Sequence, residues 1–478
     1  MVKRKMSAKR ESIKSYLIGS RAFYAEVLAI VLPIIIQNTV SNVVNLLDNV
    51  MVGRVGTLEM SAVAIVNQLF FVFNLCIFGG LAGAGIFATQ FAGAGEDDGV
   101  RHCFRMKWLI ALTMFAAALV VFLSIPDRLI SMYLAEGTQS AEAEQTFGFA
   151  LSYLRVCLIG IFPFAASQVY ASTLREVGET RLPMIASIVA ILVNLVFNYL
   201  LIFGSFGFPR LGVVGAAVAT VLSRYVELAI IVCYTHLKQK RFPFIQGAYR
   251  SLHIPGELFK NIIVRGMPLL VNEFLWSSGM AMLLQCYSVR GLGVVAAANI
   301  SSTVANLFNV VFLSMGNAVA IMVGQALGAS QMQRARRTAY QLIALAVASS
   351  VVMGAIMQIF APLVPHIYNT EESVRQIATQ FLRVVAVMMP VFSFSHCSYF
   401  TMRSGGRTWI TFIFDSAFTW GISVPAAWLL ANCTQLPIVP LYFCVQALDL
   451  IKAAIGFVLV KKGVWIRNIV SAAPQEGA

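Results

Sequence analysis

Long apolar runs separated by short polar connections are the main pattern along this chain. Ile185–Gly204, Leu109–Ile125 and Leu342–Val364 are three such runs, and a helix needs roughly 20 apolar residues to cross a bilayer. A bilayer offers no partners to backbone groups, so a spanning segment must be a helix or part of a closed barrel. The runs are apolar on both faces and lack the period-two alternation of barrel strands, so the pattern predicts helices.

Twelve segments of this kind are predicted to span the membrane, and we therefore expect an all-α integral membrane protein. Helix numbers in this subsection count the segments from the amino terminus. Their predicted bounds are 23–50, 60–91, 106–125, 147–172, 182–203, 212–236, 261–288, 295–326, 337–364, 376–401, 408–430 and 438–460.

The basic residues are distributed unevenly among the connections. Connections after even-numbered helices, counted together with the adjoining helix ends, carry sixteen Lys and Arg, whereas connections after odd-numbered helices carry five. Because cytoplasmic loops retain positive charge, this asymmetry predicts that both termini and the even-numbered connections are cytoplasmic. The expected location is the cytoplasmic membrane of a bacterial cell, which the chain crosses several times.

Composition supports the same class of protein. The mean hydropathy is +0.78 and 12% of the residues are charged, which is about half the charged fraction of a soluble domain. The net charge of +14 is explained by the cytoplasmic connections and tails, so no nucleic-acid partner is expected. The eight cysteines are isolated and form no CxxC pair, so we expect neither a disulfide framework nor a cysteine-bound metal.

The second half of the chain repeats features of the first. One constant offset along the sequence aligns Pro33 with Pro268, Gln90 with Gln325 and Gly93 with Gly328, and a slightly smaller offset aligns Arg155 with Arg383 and Gly178 with Gly406. Each half contains an even number of helices, so both halves enter the membrane from the same side. The repeat predicts two six-helix bundles related by a pseudo-two-fold axis along the membrane normal.

The expected domain organisation follows from the repeat and the charge pattern. It comprises a basic cytoplasmic tail (1–21), an N-terminal six-helix lobe (22–237), a cytoplasmic linker (238–260), a C-terminal six-helix lobe (261–462) and a second cytoplasmic tail (463–478). Two matched bundles of this kind can rock and expose a cavity alternately to the two sides of the membrane.

A set of motifs accompanies the repeat. They are Pro33, Asp48–Gly53 (DNVMVG), Asn67-Gln68, the glycine-rich stretch Gly79–Gly95 and Arg175–Thr180 (REVGET). With these motifs the chain resembles the multidrug and toxic compound extrusion (MATE) family over residues 21–470. The resemblance implies a two-lobed, V-shaped exporter of small organic compounds, often cationic, coupled to inward Na⁺ or H⁺. We expect no cofactor, and a monomer whose partners are the exported compounds and the lipid bilayer.

Ionisable groups inside a membrane are costly, so the few acids within the predicted helices are candidates for binding the coupling cation. Glu273 in helix seven is the first candidate, followed by Asp48 in helix one and Asp415 in helix eleven. Each carboxylate could bind Na⁺ through its oxygens or take up H⁺, and no metal is expected other than Na⁺ at Glu273 or Asp48. A structural or water-exposed carboxylate is the alternative for each.

The sequence departs from the NorM-like branch of the family at two of these places. In that branch the acid of helix seven lies about one turn later, where this chain has Trp276. That branch also has an acid in helix ten, whereas this chain has none between Arg375 and Arg403. The choice between Na⁺ and H⁺ therefore stays open at the level of sequence.

Polar side chains within the predicted helices could line a substrate cavity or hold helices together, and the second role is the commoner one. Two intrahelical ion pairs are predicted from a spacing of three residues, Arg224 with Glu227 and Asp449 with Lys452. The candidates for lining a cavity are Gln37, Asn38, Asn74, Asn194, Asn272, Trp276 and Asn309.

Two other functions remain as alternatives. A lipid-linked saccharide flippase of related architecture would need several Lys or Arg in its cavity. No more than four basic residues are predicted to lie within the membrane, away from the helix ends: Arg155, Arg224, Arg383 and Lys452. A membrane-embedded enzyme would need a catalytic cluster, and the sequence contains no Gly-Lys dipeptide of an ATP-binding loop and no H-E-x-x-H motif. We therefore expect a transporter and no enzymatic activity.

Overall fold

The computed structural model describes residues 16–134, 140–368 and 370–471, and helices make up most of these ranges. Twelve helices within them are long and apolar enough to cross a membrane, which confirms the predicted number. They are numbered α1 (Arg21–Gly53), α2 (Thr57–Ala94), α3 (Asp97–Ser124), α4 (Ser140–Glu176), α5 (Arg181–Phe203), α6 (Val213–Leu237), α7 (Gly256–Ser288), α8 (Leu292–Gly328), α9 (Met332–Phe360), α10 (Glu372–Ser404), α11 (Thr408–Cys433) and α12 (Ile438–Lys462).

The predicted helices agree in position with the structure, although several begin earlier than predicted. The largest difference is at α3, which starts at Asp97 rather than at residue 106. It therefore includes Arg105 and Lys107, which the count of basic residues assigns to the preceding connection, although Lys107 already lies within the predicted bounds. Both side chains are buried, Lys107 completely. The assignment was wrong because a charged residue can lie within a helix bundle when neighbouring groups hydrogen-bond to it.

Among the helices without π turns, proline lies in the interior of α1, α4, α7 and α10. The residues are Pro33, Pro163, Pro268 and Pro390. Proline has no N–H group, so each of these helices lacks one hydrogen bond of its backbone ladder. These are the first and fourth spanning helices of each half, which agrees with the internal repeat.

Two π-helical turns interrupt α11. They comprise Ile413–Ala417 and Thr419–Ser423, and α-helix precedes and follows them. A π turn contains an extra residue relative to an α-helical turn, and such turns occur frequently at functional sites. The first π turn contains Asp415, one of the predicted coupling acids.

The described residues divide into two compact units. The first unit comprises the described chain up to Ile35, Thr89–Glu96 and the described chain from Ile263 onward. The second unit comprises Ile36–Ala88 and Asp97–Ile262. In the first unit, the beginning of α1 and the end of α2 therefore pack with helices from the second half of the chain.

The segment that follows α12 packs back onto the first unit. Trp465 is completely buried there. The side-chain amide nitrogen of Gln90, at the end of α2, donates to the carbonyl oxygens of Ser404 at 2.9 Å and Arg467 at 3.2 Å. The amide oxygen of Gln90 accepts a hydrogen bond from the backbone N–H of Ile469 at 2.8 Å. Gln90 thus ties together the end of α2, the end of α10 and the segment after α12.

Candidate functional site

A cavity of about 460 Å³ lies within the second unit. Five helices contribute to its wall, α1, α2, α4, α5 and α6. The wall combines aromatic rings with amide, hydroxyl and charged groups, and its members include Asp48, Asn67, Phe70, Phe71, Phe73, Asn74, Tyr153, Phe164, Asn194, Asn198, Thr220, Arg224 and Glu227. A cavity of this size with aromatic and polar groups in its wall can hold a small organic molecule.

Asp48 places a carboxylate in the wall of this cavity. The side-chain amide of Asn198 donates to its Oδ1 atom at 2.8 Å. Among the described residues no Lys or Arg forms an ion pair with Asp48. Asn198 is itself almost fully buried, so the structure holds this carboxylate by hydrogen bonding and leaves its charge uncompensated by the described basic residues.

A second amide, that of Asn194, also faces this carboxylate. One terminal atom of its side chain lies 2.9 and 3.2 Å from the two oxygens of Asp48 and 3.0 Å from the amide nitrogen of Asn198. An oxygen at this position accepts from Asn198 and from a protonated Asp48, whereas a nitrogen donates to an ionised Asp48. Rotation of the amide by half a turn exchanges the two atoms. Asn194 can therefore hydrogen-bond to either protonation state of Asp48.

The remaining charges of the cavity belong to an ion pair on α6. Nη1 of Arg224 lies 3.3 Å from Oε2 of Glu227, so this predicted intrahelical pair is confirmed. The guanidinium group of Arg224 also lies over the ring of Phe164, 5.0 Å from its centre, a distance at which a cation is attracted to an aromatic face. With Asp48 ionised, the three charged side chains give the cavity a net charge of −1.

The first unit contains a second polar cluster, centred on Asp415. Nζ of Lys452 on α12 lies 2.5 Å from Oδ1 of Asp415 on α11. The sequence predicts that Lys452 pairs with Asp449, and the two groups do interact electrostatically, but the direct ion pair of Lys452 is with Asp415. The partner is an acid on a neighbouring helix, because the π turn of α11 and the packing of α12 bring the two groups together.

Asn272 of α7 completes this cluster. Its side-chain nitrogen donates to Oδ2 of Asp415 at 3.2 Å, and its side-chain oxygen accepts a 2.7 Å hydrogen bond from the hydroxyl of Ser416. Asn272 and Ser416 are both fully buried. Asn272, a predicted cavity-lining residue, thus lies in a closed hydrogen-bond network that connects α7 to α11.

The other predicted residues occupy different places. Asn74 and Asn194 line the cavity of the second unit, whereas Gln37 and Asn38 are half-buried on α1 and are not part of its described wall. In the first unit, Glu273 is half-buried on α7 and interacts electrostatically with Arg403 and Asp415. Trp276 is 38% exposed. Asn309 is half-buried on α8, and its amide oxygen has no hydrogen-bond partner among the described residues.

A buried ion pair in the second unit was not expected from the sequence. Nζ of Lys107 on α3 lies 2.5 Å from Oε2 of Glu176, the last residue of α4. The same nitrogen donates to the hydroxyl groups of Ser172 at 3.0 Å and Thr173 at 3.2 Å. The spacing S-T-x-x-E at the end of α4 is the only local signal of this site, because the partner helix is distant in sequence. In the part of the chain that is described, no group of three or more His, Cys, Asp or Glu could hold a metal ion.

Known proteins are similar to this chain over most of its length. The family model MatE matches residues 33–200 and 268–429. The "Probable multidrug resistance protein NorM" of Thermotoga maritima is 24% identical over 450 residues, which are 93% of this chain and 94% of that protein. The "Probable multidrug resistance protein YoeA" of Bacillus subtilis is 27% identical over 418 residues, 85% of this chain and 86% of that protein.

Solved structures share the fold. An outward-facing multidrug resistance MATE family transporter of the MOP superfamily superposes with a TM-score of 0.82 at 22% identity, over 91% of this chain and 95% of that chain. A mutant of the Vibrio cholerae MATE transporter VcmN gives a TM-score of 0.82 at 17% identity, over 94% of this chain and 98% of that chain. The two-lobed, all-helical fold predicted from the repeat is thus confirmed.

Proposed function

This chain belongs to the multidrug and toxic compound extrusion (MATE) family, and from that premise we propose that it is a secondary active exporter of small organic compounds. The exchanged species is a cation that moves inward, and the exported compounds are often cations. The two lobes expose the substrate alternately to the two sides of the bacterial cell membrane, with both chain termini in the cytoplasm.

The observation that carries this proposal is the uncompensated carboxylate of Asp48 in the wall of a cavity. A protonated or cation-bound Asp48 leaves the cavity neutral, whereas an ionised Asp48 gives it a net negative charge that attracts an organic cation. A ligand shifts a conformational equilibrium only when it binds the two states differently. Competition between an inorganic and an organic cation for one carboxylate provides that difference.

The hydrogen bonds around Asp48 favour H⁺ over Na⁺ as the exchanged cation. Na⁺ needs several oxygen ligands at once, whereas Asn198 presents an N–H group to the carboxylate. Asn194 offers either an acceptor or a donor at 2.9 Å, so it suits both the protonated and the ionised acid. Rotation of the Asn194 amide thus lets this residue hydrogen-bond to Asp48 in both protonation states.

The same charges argue against a lipid-linked saccharide flippase. Such a transporter would hold a pyrophosphate group with several Lys or Arg side chains. Among the described residues of the cavity wall one is basic, Arg224, and Glu227 neutralises it. A cavity of net negative charge repels a pyrophosphate.

The test is transport of ethidium by the purified chain in proteoliposomes, with a pH gradient and a Na⁺ gradient imposed separately. We expect the pH gradient, and not the Na⁺ gradient, to drive ethidium movement. Asp48→Asn should abolish this movement. Asp127→Asn is the matched control, because Asp127 is exposed on the short helix Pro126–Ser131. Proton-driven ethidium transport that persists in Asp48→Asn would refute the assignment of Asp48, and a lack of transport under both gradients would refute the proposed function.

A further inference from the structure

The geometry points to a monovalent-cation site in the first unit that the chain fills permanently with its own ammonium group, that of Lys452. The inference rests on the proposed function, in which a cation is exchanged at Asp48. It adds that Asp415, the acid of the polar cluster in the first unit, takes no part in that exchange. An ion from solution has no place there while Lys452 is present.

The ammonium group of Lys452 is held as a bound cation would be. It lies 2.5 Å from Oδ1 of Asp415 and 5.4 Å from the centre of the Phe414 ring. A carboxylate oxygen and the face of an aromatic ring are both groups that bind cations. The side chains of Lys452 and Asp415 are only 13% and 17% exposed, so water competes weakly for either charge.

The carboxylate is also built into the structure. Its Oδ2 atom accepts from the buried amide of Asn272, and the backbone carbonyl of Asp415 accepts a 2.9 Å hydrogen bond from the hydroxyl of Thr419. Ser416 fixes the orientation of Asn272 through a hydroxyl hydrogen bond to its side-chain oxygen. The π turn that contains Asp415 is therefore pinned to α7 on one side and to α12 on the other.

Asp48 and Asp415 have the same kind of hydrogen-bond donor but differ in whether a basic side chain pairs with them. Asp48 and Asp415 each accept a hydrogen bond from a buried asparagine amide, at 2.8 Å and 3.2 Å. Of these two acids, only Asp415 has an ammonium partner among the described residues. We infer that the charge at Asp48 is left for an exchangeable cation, whereas the charge at Asp415 is neutralised by a group that cannot leave.

Other ionisable groups surround this site and determine the charge that remains there when Lys452 is removed. Those that interact electrostatically with Asp415 are Glu273, His396, Tyr399 and Asp449. Asp449 lies three residues before Lys452 on α12. Without the ammonium group, the carboxylates of Asp415 and Asp449 would lose a shared counter-charge. A buried charge without a partner is strongly unfavourable, so the vacated site should take up a cation from solution.

The experiment measures Na⁺ binding to purified protein in detergent, with Asp48→Asn in every variant so that the proposed exchange site does not contribute. Thermal unfolding is followed in NaCl and in choline chloride at equal ionic strength, and bound ²²Na⁺ is counted. We expect no Na⁺-specific effect while Lys452 is present. With Lys452→Ala, we expect about one bound Na⁺ per chain and a saturable rise in Tm of roughly 2 °C or more.

Two further variants make the result specific. Asp415→Asn added to Lys452→Ala should remove the Na⁺ response. Lys462→Met changes an exposed lysine of the same helix, and this variant should show no Na⁺ response. Should Lys452→Ala not fold in choline chloride, ethylammonium is added as a replacement for the missing group, and recovery of folding would support the inference. Asp415-dependent Na⁺ binding with Lys452 intact would overturn it. A folded Lys452→Ala protein that shows no response to Na⁺ would also overturn it. So would a Lys452→Ala protein whose folding is restored neither by Na⁺ nor by ethylammonium. None of these measurements requires transport activity, so they stand apart from the test of Asp48.

Discussion

Gly93 at the end of α2 packs directly against the backbone carbonyl of Gln325 in α8. The contact is repeated in reverse, since Gly328 packs against the backbone carbonyl of Gln90. The internal repeat exchanges the two contacts, because it aligns Gly93 with Gly328 and Gln90 with Gln325. Two contacts that the repeat exchanges in this reciprocal way are expected beside a two-fold axis.

This close approach predicts the effect of enlarging either glycine. A Cβ atom at Gly93 or Gly328 would clash with backbone atoms of the facing helix, which cannot move aside as a side chain would. We expect Gly93→Ala and Gly328→Ala each to lower the free energy of unfolding by about 1–3 kcal/mol, the usual cost of overpacking. Thermal unfolding in detergent measures this. Gly148→Ala is the control, because a Cβ there has open space; equal stability of all three variants would contradict the prediction.

The buried pair Lys107–Glu176 predicts a strong dependence of stability on charge balance. Lys107→Met leaves Glu176 without its ammonium partner in a largely buried position. Breaking a buried pair from one side costs roughly 3–5 kcal/mol, whereas replacing both partners costs much less. Unfolding measurements should therefore show a large loss for Lys107→Met and a substantial recovery for Lys107→Met with Glu176→Gln. A double variant as unstable as the single one would show that Glu176 is not the relevant partner.

The guanidinium group of Arg105 holds the linker after α6 in place. Its three nitrogens donate to the carbonyl oxygens of Ala248 at 2.8 Å, Gly247 at 2.9 Å and His253 at 3.0 Å. Lysine keeps the charge but cannot form this fork. We expect Arg105→Lys to speed trypsin cleavage in the linker roughly tenfold, because local opening becomes easier by about one buried hydrogen bond. Arg128→Lys, outside the linker, should cleave at the wild-type rate, and an unchanged rate for Arg105→Lys would refute the prediction.

The cavity charges predict a change of substrate preference. Arg224→Gln leaves Glu227 without its basic partner, so the net charge of the cavity becomes more negative by one. We expect transport of the dication propidium to increase relative to that of the related monocation ethidium. The ratio of the two initial rates in proteoliposomes measures this, with Arg128→Gln as the control. A ratio that does not change would mean that Arg224 does not face the substrate.

The number of helices and the repeat could be predicted because they depend on local composition. A membrane helix satisfies its own backbone hydrogen bonds, so each apolar segment specifies its own structure. The Arg224–Glu227 pair was predictable for the same reason, since the two residues are neighbours on one helix face. The burial of Lys107 was not predictable, because the partner that allows it is Glu176, at the end of another helix.

The candidate site shows the same limit. The sequence singles out Asp48 and Asp415 as scarce acids, but it cannot show which of them has a basic partner. Lys452 has an acid three residues away on its own helix, yet it pairs with Asp415 across a helix boundary. That choice depends on the π turns of α11 and on the packing of three helices, and neither leaves a periodic signal in the sequence.

The hydrogen bonds of Gln90 have a practical consequence for handling the protein. Two of its three partners, the carbonyl of Arg467 and the N–H of Ile469, lie beyond the end of α12. A truncation or an affinity tag placed directly after Lys462 would delete them and leave a buried amide unsatisfied. Purification tags and fluorescent reporters should therefore be fused beyond Ser471, even though every described spanning helix ends before that point.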